Sequence, residues 1–226
     1  MYIKTTHSTN TLLKELIAKG QEPKFIYAGY QTAGRGQTGN SWESEEGKNL
    51  LCSILLPPDK NLYFLNIAVG VAILRLLGED FTIKWPNDIY YGDKKVAGIL
   101  VENAIIGNEV KYSIAGIGLN VNQTQFISDA PNPVSLKQIT GKEYDIDQLM
   151  KDLLDAVHAV LQEPEERIWS EYKAQLYRKE GYWPFEDAEG VFMARIEDVL
   201  PTGELVLKDK EDQTRIYHFK QIRYVL

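Results

Sequence analysis

Residues 95–120 read KVAGILVENAIIGNEVKYSIAGIGLN, two apolar runs joined by a Gly-Asn pair. Runs rich in Val and Ile favour β-strands, and Gly and Asn at the join favour a tight turn. The pattern predicts a long β-hairpin, with strands over residues 96–106 and 110–120 around Gly107 and Asn108. A hairpin of this length indicates that the fold contains antiparallel pairing.

The rest of the chain is rich in strands, with helices scattered between them. Further strands are predicted over residues 2–6, 25–30, 50–56, 82–85 and 89–91. Apolar residues at helical spacing predict a first helix that is capped by Ser8 or Thr9 and ends at residue 19. The same spacing predicts helices over residues 61–77, 145–162 and 164–176. This irregular order indicates an α+β protein, with a mixed or antiparallel sheet and flanking helices, because α/β folds alternate the two elements regularly.

Residues 31–42, QTAGRGQTGNSW, form a glycine-rich segment that directly follows a predicted strand. Glycine lets backbone N–H groups approach a ligand closely, and successive N–H groups make an anion-binding concavity. Arg35 adds a guanidinium that suits carboxylate or phosphate. The segment therefore suits a site that holds two anions together, and a polar surface loop is the alternative. The segment is not a Walker A loop, because it does not end in Gly-Lys-Ser/Thr.

Composition narrows the classes of function. The 226 residues are 44% hydrophobic and 25% charged, which is ordinary for a globular protein. The net charge of −7 argues against nonspecific binding to nucleic acid. Cys52 is the single cysteine and lies in an apolar run, so we expect a buried side chain and no internal disulfide. No signal pattern begins the chain and no apolar run is long enough to cross a bilayer, so we expect a cytoplasmic protein without membrane contact.

Several motifs, taken together and in order, resemble the biotin–protein ligase family. They are Ser8-Thr9-Asn10, the glycine loop of residues 31–42, Lys84-Trp85-Pro86-Asn87-Asp88, KVAGILVE over residues 95–102, and Gly116-Ile117-Gly118-Leu119-Asn120. The match covers roughly residues 1–180 and is weaker in the tail. The chain is similar to the monofunctional type, the biotin–[acetyl-CoA-carboxylase] ligases, because no winged-helix segment precedes the motifs. We therefore expect no DNA-binding role.

The resemblance implies two domains. Residues 1–180 correspond to a catalytic domain that binds biotin and ATP and is similar to class II aminoacyl-tRNA synthetases. Residues 181–226 correspond to a small SH3-like β-barrel, with a pattern of short strands and turns from Val191 on.

A biotin site is also implied. In the family, the Ser-Thr-Asn turn and Gln31 contact the ureido ring, while Arg35 and Lys95 lie at the carboxylate. Simple helix capping is the alternative for the turn. The implied biotin-binding residues are Ser8, Thr9, Asn10, Gln31, Gly34, Arg35, Gly36, Gln37, Lys95, Gly98 and Gly116.

The implied catalytic residues are Arg35, Lys95, Lys84 and Asp88. Lys84 is expected to face the α-phosphate of ATP. Asp88 is a candidate base, an orienting carboxylate or a magnesium ligand. The implied nucleotide-binding residues are Arg35, Gly36, Gln37, Trp42, Lys84, Asn87, Asn120 and Phe126. Asn120 is the candidate for hydrogen-bonding adenine. Phe126 stands in for a tryptophan that some members lay on adenine. Trp42 either covers the loop once it closes or is an ordinary loop anchor.

The resemblance further implies ATP and Mg²⁺ as cofactors, and a biotin carboxyl carrier domain as the partner that receives biotin. The sequence is also compatible with a homodimer through an exposed sheet edge. The sequence departs from the family pattern at Gln37 and Asn40, where many members carry basic residues, and it assigns His7 no role. A lipoate or octanoate transferase of the same fold and a non-catalytic biotin-binding regulator are the alternatives.

Overall fold

The predicted hairpin is the centre of a large mixed sheet in the computed structural model, which describes residues 1–21, 23–37, 39–59, 61–107, 109–127 and 132–226. Within these ranges, seven strands pair in the order β1-β2-β3-β7-β6-β5-β4. The strands are β1 (Tyr2–Thr6), β2 (Phe25–Gln31), β3 (Leu50–Leu56), β4 (Phe81–Lys84), β5 (Asp88–Tyr91), β6 (Lys94–Ile106) and β7 (Glu109–Leu119). β1 and β2 run parallel and the other pairs are antiparallel, so the sheet is mixed.

The helices in the same ranges are α1 (Thr9–Ala18), α2 (Phe64–Leu77), α3 (Leu136–Thr140), α4 (Ile146–Val160) and α5 (Glu165–Ala174). α2 is buried along most of its length and packs against both the sheet and α4. α1 packs on β2, β3 and β7 through Leu13, which contacts Ile26 and Ile114.

The two faces of the β6–β7 hairpin differ in composition, because successive side chains on a strand point to opposite faces. Ile99 and Ile117 pair on the face that belongs to the main core. Gly98 pairs with Gly118 on the other face, followed by Leu100 with Gly116 and Glu102 with Ile114. Three glycines so close together leave a trough on the face that carries α1.

A second sheet follows at the C-terminus, with five antiparallel strands of the described chain in the order β11-β10-β9-β8-β12. These are β8 (Trp183–Asp187), β9 (Gly190–Val199), β10 (Leu205–Asp209), β11 (Thr214–Tyr217) and β12 (Arg223–Tyr224). Nε1 of Trp85 donates to the carbonyl of Gly203 at 2.9 Å, and Nη1 of Arg178 donates to that of Val225 at 2.8 Å. The predicted α+β class is confirmed; a domain boundary at residue 181 stays a prediction.

Some local predictions were wrong for reasons visible in the structure. The helix predicted over residues 61–77 begins at Phe64, because Oδ1 of Asn61 accepts the N–H groups of Tyr63 and Phe64 and forms a turn first. Pro164 is the cap of α5 and not its first helical residue. The predicted cap position of α1 is confirmed at Ser8, although the Ser8 side chain makes no capping hydrogen bond.

Two elements were not predicted: α3, which a Ser135–Gln138 capping box opens, and β8. The predicted turn residue Asn108, Thr38 of the glycine loop and residues 128–131 lie outside the described ranges. No described helix has both the length and the apolar character that crossing a membrane requires.

Candidate active site

A cavity of about 430 Å³ opens on the glycine face of the sheet. Its walls come from the N-terminus of α1, the loop after β2, the β4–β5 turn, the β6–β7 hairpin and the last residues of the chain. The predicted site residues that line it are Ser8, Thr9, Asn10, Gln31, Arg35, Gly36, Gln37, Trp42, Lys84, Asn87, Asp88, Lys95, Gly98 and Gly116. Segments far apart in the sequence therefore meet in one cavity.

The floor of the cavity is shaped by its glycines. A Cβ on Gly118 would overlap the indole of Trp42, and one on Gly98 would meet the same ring at 3.0 Å. A Cβ on Gly116 would overlap the side-chain amide of Asn10. Trp42 and Asn10 thus lie directly on the sheet, in positions that side chains on these strands would block.

The N-terminus of α1 meets the end of β2 at one end of the cavity. Gln31 Oε1 accepts from the backbone N–H of Thr9 at 2.7 Å and from its hydroxyl at 3.1 Å. Ser8, Thr9 and Asn10 are all buried. The Ser-Thr-Asn turn therefore does more than begin a helix, since its polar groups are held against the cavity wall.

The glycine loop folds back on itself. Gly36 N–H donates to the carbonyl of Asn40 at 2.9 Å, and Trp42 N–H donates to that of Gly34 at 3.0 Å. Gly34 is buried against this turn, where a Cβ would lie 2.6 Å from the carbonyl oxygen of Trp42. The closed loop turns the indole of Trp42 inward and leaves Arg35 at the edge of the cavity.

Lys95 and Asp88 meet at the cavity wall, where Lys95 Nζ lies 2.7 Å from Asp88 Oδ1. Lys95 Nζ also lies 5.5 Å from the ring centre of Trp42. The β5–β6 pairing shifts register between Ile89 and Tyr90, which face Ala97 and Lys95 respectively. A β-bulge of this kind re-aims side chains, and it brings Lys95 to the same face as Gly98.

Lys84 is held between two aromatic rings, 4.8 Å from the ring centre of Tyr90 and 5.1 Å from that of Tyr224. Its ammonium donates to the hydroxyl of Tyr90 at 3.1 Å. Burial lowers the pKa of Lys84, and Asp88 opposes part of that effect. Lys84 is therefore a partly desolvated cation, whose attraction for phosphate is screened less than that of a surface lysine.

The cationic side chains that line the cavity outnumber the anionic ones, although the protein as a whole is acidic and two of these cations, Arg35 and Arg223, are paired with Glu102 and Glu186. Among the described residues that line it, Arg35, Lys84, Lys95, Lys220 and Arg223 are cations, whereas Asp88 is the side-chain carboxylate. This arrangement suits an anionic ligand.

Among the described residues, Gly34, Asn120 and Phe126 are the predicted site residues that do not line this cavity. Asn120 is buried and its amide donates to the carbonyl of Val134 at 3.2 Å. Ile127, beside Phe126, lines a second cavity of about 490 Å³, which shares Gln31, Ser41 and Trp42 with the first. The nucleotide roles of Asn120 and Phe126 stay predictions.

Several lining residues were missed from the sequence. Phe219, Lys220, Arg223 and Tyr224 come from the C-terminal strands and loops, and Gly118 continues the glycine floor. The Gly-Ile-Gly alternation of residues 116–118 was the available signal for Gly118, because residues two apart on a strand share a face. For the C-terminal residues no sequence motif pointed to the cavity.

The described part of the chain contains no cluster of three or more His, Cys, Asp and Glu residues able to hold a metal ion. Cys52 also lines the cavity, but it is buried, and burial raises the pKa of its thiol to about 12. A thiol that stays protonated at neutral pH is a poor nucleophile.

A model of the biotin/lipoate A/B protein ligase family matches residues 2–120, which is more than half of the chain. The chain therefore belongs to this family. The match contains all of the predicted site residues except Phe126.

Some curated relatives are named as biotin ligases, and others as bifunctional ligase/repressors. Over 162 residues the chain is 31% identical to biotin–[acetyl-CoA-carboxylase] ligase of Paracoccus denitrificans, covering 66% of this chain and 67% of that protein. It is 37% identical over 136 residues to the bifunctional ligase/repressor BirA of Bacillus subtilis, covering 55% of this chain and 41% of that protein. The chain thus spans about two fifths of the length of BirA from Bacillus subtilis.

Solved structures share the whole fold. A biotin protein ligase from Aquifex aeolicus, in complex with biotin and ATP, superimposes with a TM-score of 0.81 at 25% identity, covering 100% of this chain and 98% of that chain. A biotin protein ligase from Leishmania major superimposes with a TM-score of 0.64 at 20% identity, covering 97% of this chain and 98% of that chain, which is evidence for the fold alone.

Proposed function

We propose that this protein is an ATP-dependent ligase that activates biotin as biotinyl-5′-AMP and transfers it to a lysine of a biotin carboxyl carrier domain. The observation that carries the proposal is the cationic cavity over a glycine floor, with Arg35, Lys84 and Lys95 at its walls. The names of the relatives that are called biotin–[acetyl-CoA-carboxylase] ligases support biotin over lipoate as the acyl group.

The first step has to bring two anions together. A carboxylate oxygen of biotin attacks the α-phosphate of ATP, a P–O bond forms, and pyrophosphate leaves. Two unit charges about 4 Å apart repel by about 4 kcal/mol at an effective dielectric of about 20. Fixed cations offset this repulsion and stabilise the charge that develops at phosphorus.

We assign Arg35 and Lys95 to the carboxylate and the acyl-phosphate, and Lys84 to the α-phosphate. Lys84 suits this role because it is partly desolvated between Tyr90 and Tyr224. Asp88 is paired with Lys95, which favours an orienting role for its carboxylate before the ligands bind.

In the second step an acceptor lysine amine attacks the acyl carbon, an amide forms, and AMP leaves with the bonding electrons. The amine must lose a proton, since a free lysine has a pKa of about 10.4. Asp88 is the candidate base, because its carboxylate lines the cavity beside Lys95.

Magnesium enters the proposal with the nucleotide. Phosphate oxygens and water are its usual ligands with ATP, and its charge would neutralise part of the triphosphate. A cytoplasmic location fits the requirement for ATP, and a homodimer through a sheet edge stays a prediction.

The test is incubation of the purified chain with a carrier domain, ATP, Mg²⁺ and one acid at a time: biotin, lipoate or octanoate. We expect mass spectrometry to find one biotinyl group on the carrier lysine, and biotin-dependent ATP–pyrophosphate exchange. Modification by lipoate or octanoate alone would indicate the related transferase. Binding of biotin without exchange or transfer would indicate a non-catalytic regulator.

A further inference from the structure

Glu102, on β6, binds groups from both sides of the cavity. Its Oε1 lies 2.7 Å from Nζ of Lys14 on α1, and its Oε2 lies 3.0 Å from Nη2 of Arg35 in the glycine loop. Oε2 also accepts from Nδ2 of Asn10 at 2.7 Å. One carboxylate therefore joins the first helix, the central hairpin and the loop.

Asn10 makes this connection rigid. It is buried, its Oδ1 accepts from the hydroxyl of Ser53 at 2.5 Å, and its Nδ2 also donates to the carbonyl of Leu100 at 3.3 Å. Because Asn10 is held on several sides, the carboxylate bonded to it is a fixed point on the sheet. Arg35 is 44% exposed, and its contact with this fixed point holds the guanidinium in place beside the sheet.

The charges leave Arg35 available for an anion. Lys14 balances the charge of Glu102, so the positive charge of Arg35 is not cancelled at the cavity. Burial opposes ionisation of Glu102, but the hydrogen bonds of Lys14 and Asn10 and the charges of Lys14 and Arg35 outweigh it and lower its pKa. Glu102 is therefore a carboxylate at neutral pH.

The geometry also leaves Arg35 free donors. Its contact with Glu102 uses Nη2, whereas a guanidinium carries five N–H donors in a fixed fork. Arg35 can keep Glu102 while it binds a carboxylate or phosphate. We propose that Glu102 is a positioning residue, which holds Arg35 ready for the acid group of the substrate, while Lys14 keeps the pair from losing its positive charge.

This inference rests on the proposed function. Two ligands distinguish a failure of the inference from a failure of the proposed function. Biotin carries the carboxylate that Arg35 would bind, and biotinol, its alcohol, does not. Calorimetry on the whole chain would measure the affinity for each. If the wild-type chain binds neither ligand, the proposed function fails.

We expect Glu102→Gln to weaken binding of biotin about tenfold, the usual order for loss of a charged hydrogen bond, and to leave binding of biotinol within about twofold. Lys14→Met should also weaken binding of biotin but not of biotinol, because the carboxylate of Glu102, no longer balanced by Lys14, then cancels the positive charge of Arg35. In a chain that already carries Arg35→Ala, Glu102→Gln should cause no further loss of affinity for biotin. Glu109→Gln, on the exposed start of β7, is the matched control and should change neither affinity.

Three results would overturn the inference. Equal losses for biotin and biotinol would mean that Glu102 acts only through the structure around Asn10. Tighter binding of biotin would mean that Glu102 competes with the ligand for Arg35. Unchanged binding of biotin in both variants would remove the role of Glu102 altogether.

Discussion

Lys95 and Asp88 form an ion pair at the wall of the cavity, with Nζ 2.7 Å from Oδ1. Both side chains are partly exposed, at 25% and 20%. Lys95 is therefore already oriented, and because its ammonium carries three N–H donors it can keep its contact with Asp88 while it binds an anion.

Replacing Lys95 or Arg35 by alanine should abolish adenylate formation. We expect biotin-dependent ATP–pyrophosphate exchange to fall by at least about a hundredfold, because each variant removes a fixed cation from the site where charge develops. The melting temperature should change little. Lys111→Ala, at an exposed lysine paired with Glu109, is the control. Exchange at the wild-type rate in both variants would remove the proposed roles.

Replacing Gly118 by alanine should displace the indole of Trp42, because the new Cβ would overlap that ring. We expect faster acrylamide quenching of tryptophan fluorescence and weaker binding of biotin. The double variant with Trp42→Phe would give the signal of the other tryptophans for subtraction. Unchanged quenching with unchanged affinity would mean that the ring does not rest on this floor in solution.

The activity should fall with rising pH as Lys84 loses its proton. Burial lowers the pKa of Lys84 from 10.5. The positive charge is therefore present below that lowered pKa and is lost as the pH rises through it. As the pH rises, we expect kcat/KM for ATP to begin its decline at a lower pH than the one at which an exposed lysine titrates. Lys84→Arg should move the decline upward, because arginine stays protonated. An identical profile in both proteins would contradict the assignment.

Replacing Cys52 by alanine should leave both half-reactions intact. The thiol is buried and its pKa is raised to about 12, so it is protonated at neutral pH. We expect rates within about twofold and a loss of about 1 kcal/mol in the free energy of unfolding, as for a typical small core substitution. Loss of transfer with retained exchange would instead indicate that Cys52 carries the acyl group between the two half-reactions.

Local patterns in the sequence predicted most of the fold. The apolar run of residues 50–56 and the two apolar runs within residues 95–120 formed the predicted strands, because short apolar runs favour strands that are buried in a sheet. α3 was missed although its Ser135–Gln138 capping box was present, since five residues give little helical periodicity. The start of α2 was missed because Asn61 first forms a turn with its own side chain.

The sequence by itself determined which chemical groups the site has: the glycines of the floor, the arginine of the loop and the two lysines of the motifs. Only the tertiary structure decided how they face one another. A bulge in the β5–β6 pairing turns Lys95 to the glycine face, the C-terminal strands bring Tyr224 to Lys84, and Glu102 joins α1 to the loop. Register shifts and contacts between distant segments depend on packing across the whole chain, so no local pattern of residues encodes them.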